Sequence, residues 1–120
     1  MNAITNKNRL LERVKKNGWV LRWASYELRD NEEVVLTAVK NDSYALEFAS
    51  ERLRNDKEIV LEAVKNDGFA LQFASERLQD NKEVVLTAVK EYARSLMYAS
   101  ERLKNDKEFL KEIENIKNGQ

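Results

Sequence analysis

Cysteine, histidine and proline are missing from the 120-residue chain, and glycine occurs only three times. Without cysteine there is no disulfide, no thiol nucleophile and no thiolate ligand for a metal. Without histidine there is no imidazole ligand, and a serine nucleophile has no imidazole to activate it. Net charge is missing too, since 21 Lys and Arg are balanced by 21 Asp and Glu. A general polyanion binder would carry a basic excess. No apolar run approaches the 18 or so residues a membrane span needs. The opening MNAITNKNRLL lacks the apolar run and small-residue cleavage pattern of a signal peptide. The expected address is the cytoplasm, or the interior of a host cell if the protein is delivered. The absence of cysteine fits either redox compartment.

Apolar residues make up 42% of the chain and charged residues 35%, too apolar for a disordered chain and too polar for a membrane protein. The length suits one domain, residues 1–120, able to bury a core without staples. The dominant feature is an internal repeat. The sequence falls into register every 25 residues, with units at about 6–30, 31–55, 56–80 and 81–105 and a partial unit at 106–120. The second and third units, NEEVVLTAVKNDSYALEFASERLRN and DKEIVLEAVKNDGFALQFASERLQD, show how closely they agree.

Each unit carries two helical patterns. In the first, over 31–41, Val34, Val35, Ala38 and Val39 recur at helical spacing and Leu36 widens the apolar face. EVVLTAV is rich in β-branched residues, but it does not alternate, and its flanks favour a helix. Asp30, Asn55, Asp80 and Asn105 each precede a glutamate by three residues, the spacing of a capping box. Asn17-Gly18 and Asp67-Gly68 read as a left-handed stop after this helix. Ser43 and Ala93 take the glycine's place in the second and fourth units. The fourth unit is therefore expected to have its two helices closer together or partly fused between residues 81 and 104.

The second pattern, over 44–54, places Ala45, Phe48, Ala49 and Leu53 at steps of three and four. Its tail runs into the next cap with no breaker, so the connection between units must be tight. Helices of ten or eleven residues are marginal alone, and stacking must supply what propensity does not. The expectation is an all-α chain: tandem 25-residue helical hairpins forming a short solenoid of about nine helices. A compact bundle of the same helices is the alternative architecture.

The end units differ from the middle ones. Arg9 and Arg13 stand where Val34 and Ala38 stand in the second unit, and Lys111 and Glu114 replace Leu36 and Val39. Each pair lies on one helix face. The Val34/Ala38 face is therefore expected to look back to the preceding unit, and the Leu36/Val39 face forward. Polar ends of this kind fit terminal caps and lead to the expectation of a complete chain and a monomer.

Recurring residues admit both bland and functional readings. Ala24-Ser25, Ala49-Ser50, Ala74-Ser75 and Ala99-Ser100 are expected to allow close helix approach, with the hydroxyl bonded to a carbonyl four residues back. Trp19/Trp23, Tyr44/Phe48 and Phe69/Phe73, with Tyr98 lacking an aromatic partner because Arg94 holds that position, suit a semi-buried spine better than a stacking platform. Tyr26 and Tyr92 fall outside the pattern and are surface candidates. Glu51-Arg52, Glu76-Arg77 and Glu101-Arg102 suit a charged face with some links between units. Three sets vary between units and could form a binding stripe: Thr37/Glu62/Thr87, Arg22/Glu47/Gln72/Met97, and Arg54/Gln79/Lys104. The carboxylates show no calcium-loop pattern or paired-acid signature. No catalytic, cofactor-binding or metal-binding residue is assigned, and no enzyme activity is expected.

The string N-D-K-E-V-V-L-x-A-V-K-x-(N/D)-G-x-A-L-x-(F/Y)-A-S-E-x-L, carried by the second to fourth units, resembles the tandem repeats of the family called domain of unknown function 4116. The resemblance runs from about Asn6 to Ile113 and departs at Ser43 and over 91–95. It implies an α-helical repeat, often in many copies, found in bacterial, protist and large-virus proteins. It carries no agreed activity and no site residues. The functional expectation is a protein-interaction or structural module with a protein or peptide partner and no membrane or cofactor. The alternative is a nucleic-acid-associated protein using Arg9, Arg13, Lys15, Lys16, Arg22 and Arg29 of the more basic first unit.

Overall fold

The computed structural model describes residues 2–119. Five longer α-helices set its frame: α1 (Lys7–Lys16), α3 (Glu32–Asn41), α5 (Lys57–Asn66), α7 (Lys82–Glu91) and α9 (Lys107–Lys117). Between them lie four one-turn helices, α2 (Tyr26–Arg29), α4 (Glu51–Arg54), α6 (Glu76–Gln79) and α8 (Glu101–Lys104). Four 3-10 helices complete the units: η1 (Gly18–Trp23), η2 (Ser43–Phe48), η3 (Gly68–Phe73) and η4 (Ala93–Tyr98). The order α, η, short α recurs along the chain. Nine α-helices are present among the described residues, as expected, and EVVLTAV is helical.

The longer helices lie side by side in chain order, and the 3-10 helices form a second layer against them. The core fills the space between the layers. Val34, Val35, Ala38 and Val39 of α3 are wholly buried there with Ala45 and Leu46 of η2. The molecule measures 48 × 24 × 20 Å with a radius of gyration of 15.3 Å, whereas a compact chain of this length would have about 14 Å. The stack is therefore elongated, and the compact-bundle alternative fails. Arg9 and Arg13 at one end, and Lys111 and Glu114 at the other, are exposed, whereas their counterparts Val34, Ala38 and Val39 are fully buried and Leu36 is half-buried.

Four local expectations are corrected. The helix caps are Asn31, Asp56, Asn81 and Asp106, one residue later than the capping-box spacing suggested; their side chains accept the N–H of Val34, Ile59, Val84 and Phe109. The second pattern is not one helix, because Ala49 adopts an extended conformation and separates η2 from α4. Gly18 and Gly68 do not take positive φ. They are small because the next unit is close: a Cβ on Gly18 would lie 2.5 Å from the Ala38 carbonyl, and one on Gly68 would strike the Ala88 carbonyl and the Ser95 hydroxyl. The fourth unit keeps its break, since Tyr92 is extended at φ −150° between α7 and η4. Asn17, Asp42 and Asp67 make this break by accepting the N–H two residues on. Tyr92 makes no such bond and instead stacks on Phe69, centroids 4.6 Å apart.

Candidate binding surface and the joints that shape it

The units are tied together at a repeated polar joint. The Ser50 N–H donates to the Arg29 carbonyl (2.9 Å) and its hydroxyl donates to Asp30 Oδ1 (2.5 Å). Arg52 Nε donates to the same oxygen (2.9 Å) and Nη2 to the Asp30 carbonyl (2.7 Å). Ser75 and Arg77 hold Asn55 in the same way, as Ser100 and Arg102 hold Asp80. Each serine oxygen also accepts an N–H of its own one-turn helix, from Leu53, Leu78 or Leu103. The serines are thus N-caps, not i−4 bonders as expected. The hydrogen bond from Ser50, then that from Arg52, holds the Asp30 carboxyl below the usual range, and Ser100 and Arg102 do the same to Asp80.

The first joint is built differently. Thr5 stands in the place of Asp30 and Glu27 in the place of Arg52. What remains is backbone: Ser25 N–H donates to the Ile4 carbonyl (2.8 Å), and Ile4 N–H to the Trp23 carbonyl (2.8 Å). The extended segment around Ile4 takes the position that the end of a preceding unit takes elsewhere.

The 3-10 layer carries the aromatics as a diagonal ladder. Trp19 meets Phe48 edge-on at 5.3 Å, Tyr44 meets Phe73 at 5.6 Å and Phe69 meets Tyr98 at 5.8 Å. Such pairs add stability beyond the area they bury. Burial in this ladder raises the Tyr44 phenol above its ordinary value. The expected semi-buried spine is present, and its first rungs are open: Trp19 and Trp23 keep 38% and 43% of their surface. Trp19 Nε1 donates to Asp42 Oδ2 (2.7 Å), and the Arg22 guanidinium lies 4.5 Å from the Trp23 ring centre. Tyr26 and Tyr92 are exposed, as expected.

The three variable sets separate. Arg22, Glu47 and Met97 are exposed and Gln72 is half-buried, in one row beside the ladder. Arg54 and Gln79 serve structure, donating to the carbonyls of Ala49 and Leu71; Lys104 donates to that of Met97. Thr37 and Thr87 bond to carbonyls four residues back on their own helices. Of the basic set, Arg9, Arg13, Lys15 and Lys16 are exposed on α1. Arg22 lies in the 3-10 layer against Trp23, and Arg29 lies on α2 against Tyr26. The six do not form one patch. No described helix is long and apolar enough to cross a membrane, and no three carboxylates among the described residues gather as metal ligands.

A family model described as domain of unknown function, DUF4116, matches residues 6–54, 31–79 and 81–119. The chain belongs to this family. The first two DUF4116 matches overlap over 31–54, so the family model spans two of the 25-residue units and slides along the stack by one. No curated protein and no solved structure matches the chain.

Sequence reading expected links between units from the Glu-Arg pairs, which Arg52, Arg77 and Arg102 make, but missed the serine's part in the joint. Its signal was a Ser-x-Arg recurring with an Asp or Asn at the end of the unit before. In the first unit both partners are lost together, as Thr5 and Glu27.

Proposed function

We propose that this DUF4116 protein is a non-catalytic interaction module that binds a protein or peptide along the row Arg22, Glu47, Gln72 and Met97. The observation that carries this reading is the pairing of a fixed ladder with a changing row. The aromatic pairs are held edge-on across successive units, while the row beside them changes in charge and polarity from unit to unit. Aromatics that are already ordered lose little entropy on binding, and Met adapts to a partner's shape. In this reading the protein works as a monomer in the cytoplasm, or inside a host cell if it is delivered.

The test is capture of a partner by the whole protein and by two variant groups. Arg22→Glu with Met97→Glu alters the row, and Lys40→Glu with Lys65→Glu alters the opposite layer. Loss of one partner with the first group alone supports the reading. Equal retention by both, or loss with the second alone, contradicts it. A nucleic-acid role has weaker support because the basic set is divided between layers, and it would show as binding that falls steeply with salt.

A further inference from the structure

The row beside the aromatic ladder offers a different chemistry in each unit. Arg22 is exposed, and its guanidinium lies 4.5 Å from the Trp23 ring centre and 5.8 Å from that of Phe48. The two rings hold it in place. Neither Arg22 nor the exposed Glu47, one unit on, has an ion-pair partner among the described residues, and they do not pair with each other. Gln72 donates from Nε2 to the Phe69 carbonyl (3.0 Å), which fixes its amide and leaves its oxygen as an acceptor. Met97 keeps 60% of its surface. Exposure is a property of this position in the repeat, since Glu47 has a unit on either side and is exposed as well. Along the stack the row reads cation, anion, acceptor, apolar.

The row has one residue per unit, so its period is that of the stack. Five longer helices lie side by side along the 48 Å axis, about 10 Å each, the ordinary distance between packed helices. A polyproline II segment brings every third side chain to the same face and rises about 9 Å in doing so. Same-face residues of a β-strand recur at about 7 Å and lose the register. An α-helix needs about seven residues for each step. The half-buried rings of Tyr44, Phe48 and Phe73 run beside the row, and polyproline II segments dock on aromatic surfaces.

We propose that the segment bound on this row is a polyproline II strand that carries, at three-residue steps from Arg22 to Met97, an acid, a base, a hydrogen-bond donor and an apolar residue. The inference rests on the row as the binding surface and adds what lies on it. Arg22 meets the acid through the outer edge of its guanidinium, and Glu47 accepts from the base. The Gln72 oxygen accepts from the donor, and Met97 packs on the apolar side chain. The adjacent opposite charges set the register, because a slip of one step brings the acid onto Glu47.

The probe is a fluorescein-labelled peptide, Asp-Pro-Pro-Lys-Pro-Pro-Gln-Pro-Pro-Leu, titrated against the full chain by anisotropy beside the same sequence reversed. The two cover both chain directions, and saturable binding by one of them is expected. Exchanging Asp and Lys in that peptide should weaken binding about tenfold. Arg22→Glu combined with Glu47→Arg should reverse the preference, a gain for the exchanged peptide that an unfolded variant could not show. Lys40→Glu with Lys65→Glu should leave binding unchanged. No saturable binding by either peptide up to millimolar concentration, or binding indifferent to charge order, overturns the proposal. Partner capture then separates the two readings. Capture still lost with Arg22→Glu and Met97→Glu keeps the row and removes this segment, whereas capture that survives them removes both.

Discussion

The Ser75 hydroxyl donates a 2.6 Å hydrogen bond to the side chain of Asn55, twenty residues earlier in the chain. One side chain thus caps α6 through Leu78 and fastens its unit to the one before. Ser75→Ala should cost about 1–2 kcal/mol, at the upper end for a lost cap because the joint is lost with it. Urea unfolding measures this. Arg77→Ala should cost less, because Arg77 caps no helix and both of its bonds to Asn55 are exposed. The reverse order would mean that the arginine and not the serine governs the joint.

Asp30 and Asp80 link joint and pH. Their folded-state pKa values are lowered, chiefly by Ser50 and Ser100. Their contribution is therefore full above the unfolded value near 4 and is lost as pH falls through the lower folded value. Asn55 makes the same joint without a charge. The double variant Asp30→Asn with Asp80→Asn should fold at neutral pH and lose less stability between about pH 5 and pH 2 than the parent. Denaturant midpoints across that range are the readout, and parallel pH curves would contradict it.

Ser95 is fully buried and its hydroxyl has no partner among the described residues. The other units have Val20, Ala45 and Ala70 in this position. Ser95→Ala should stabilise the protein by about 1 kcal/mol by removing an unsatisfied group. Gly68→Ala should act oppositely, by about 1–3 kcal/mol, because its Cβ meets backbone and the Ser95 hydroxyl. The two changes touch, so their effects should not add; a double-mutant cycle in urea would show this.

The period, the helix identity of EVVLTAV and the polar ends were legible because hydrophobic spacing and its loss at the termini carry them. The split of the second pattern was not. A six-residue 3-10 helix and an α-helix place apolar residues at nearly the same steps, so 43–48 looks continuous with 51–54 until the extended Ala49 is seen. The cap was misplaced by one residue because Asp30 and Asn31 are both good N-cap residues. The structure uses Asn31 for the helix and Asp30 for the joint, a division of labour that depends on a partner twenty residues away. The aromatic ladder was half legible: pairs within a unit were visible, but the rungs run between units.

The stack in chain order rests on serine N–H groups reaching the unit before, and hydrogen-bond scalar couplings in NMR measure this directly. The expected result is coupling from the amide nitrogens of Ser50, Ser75 and Ser100 to the carbonyl carbons of Arg29, Arg54 and Gln79. Coupling from these serines to carbonyls four residues back in their own unit would instead restore a continuous second helix and contradict the joint.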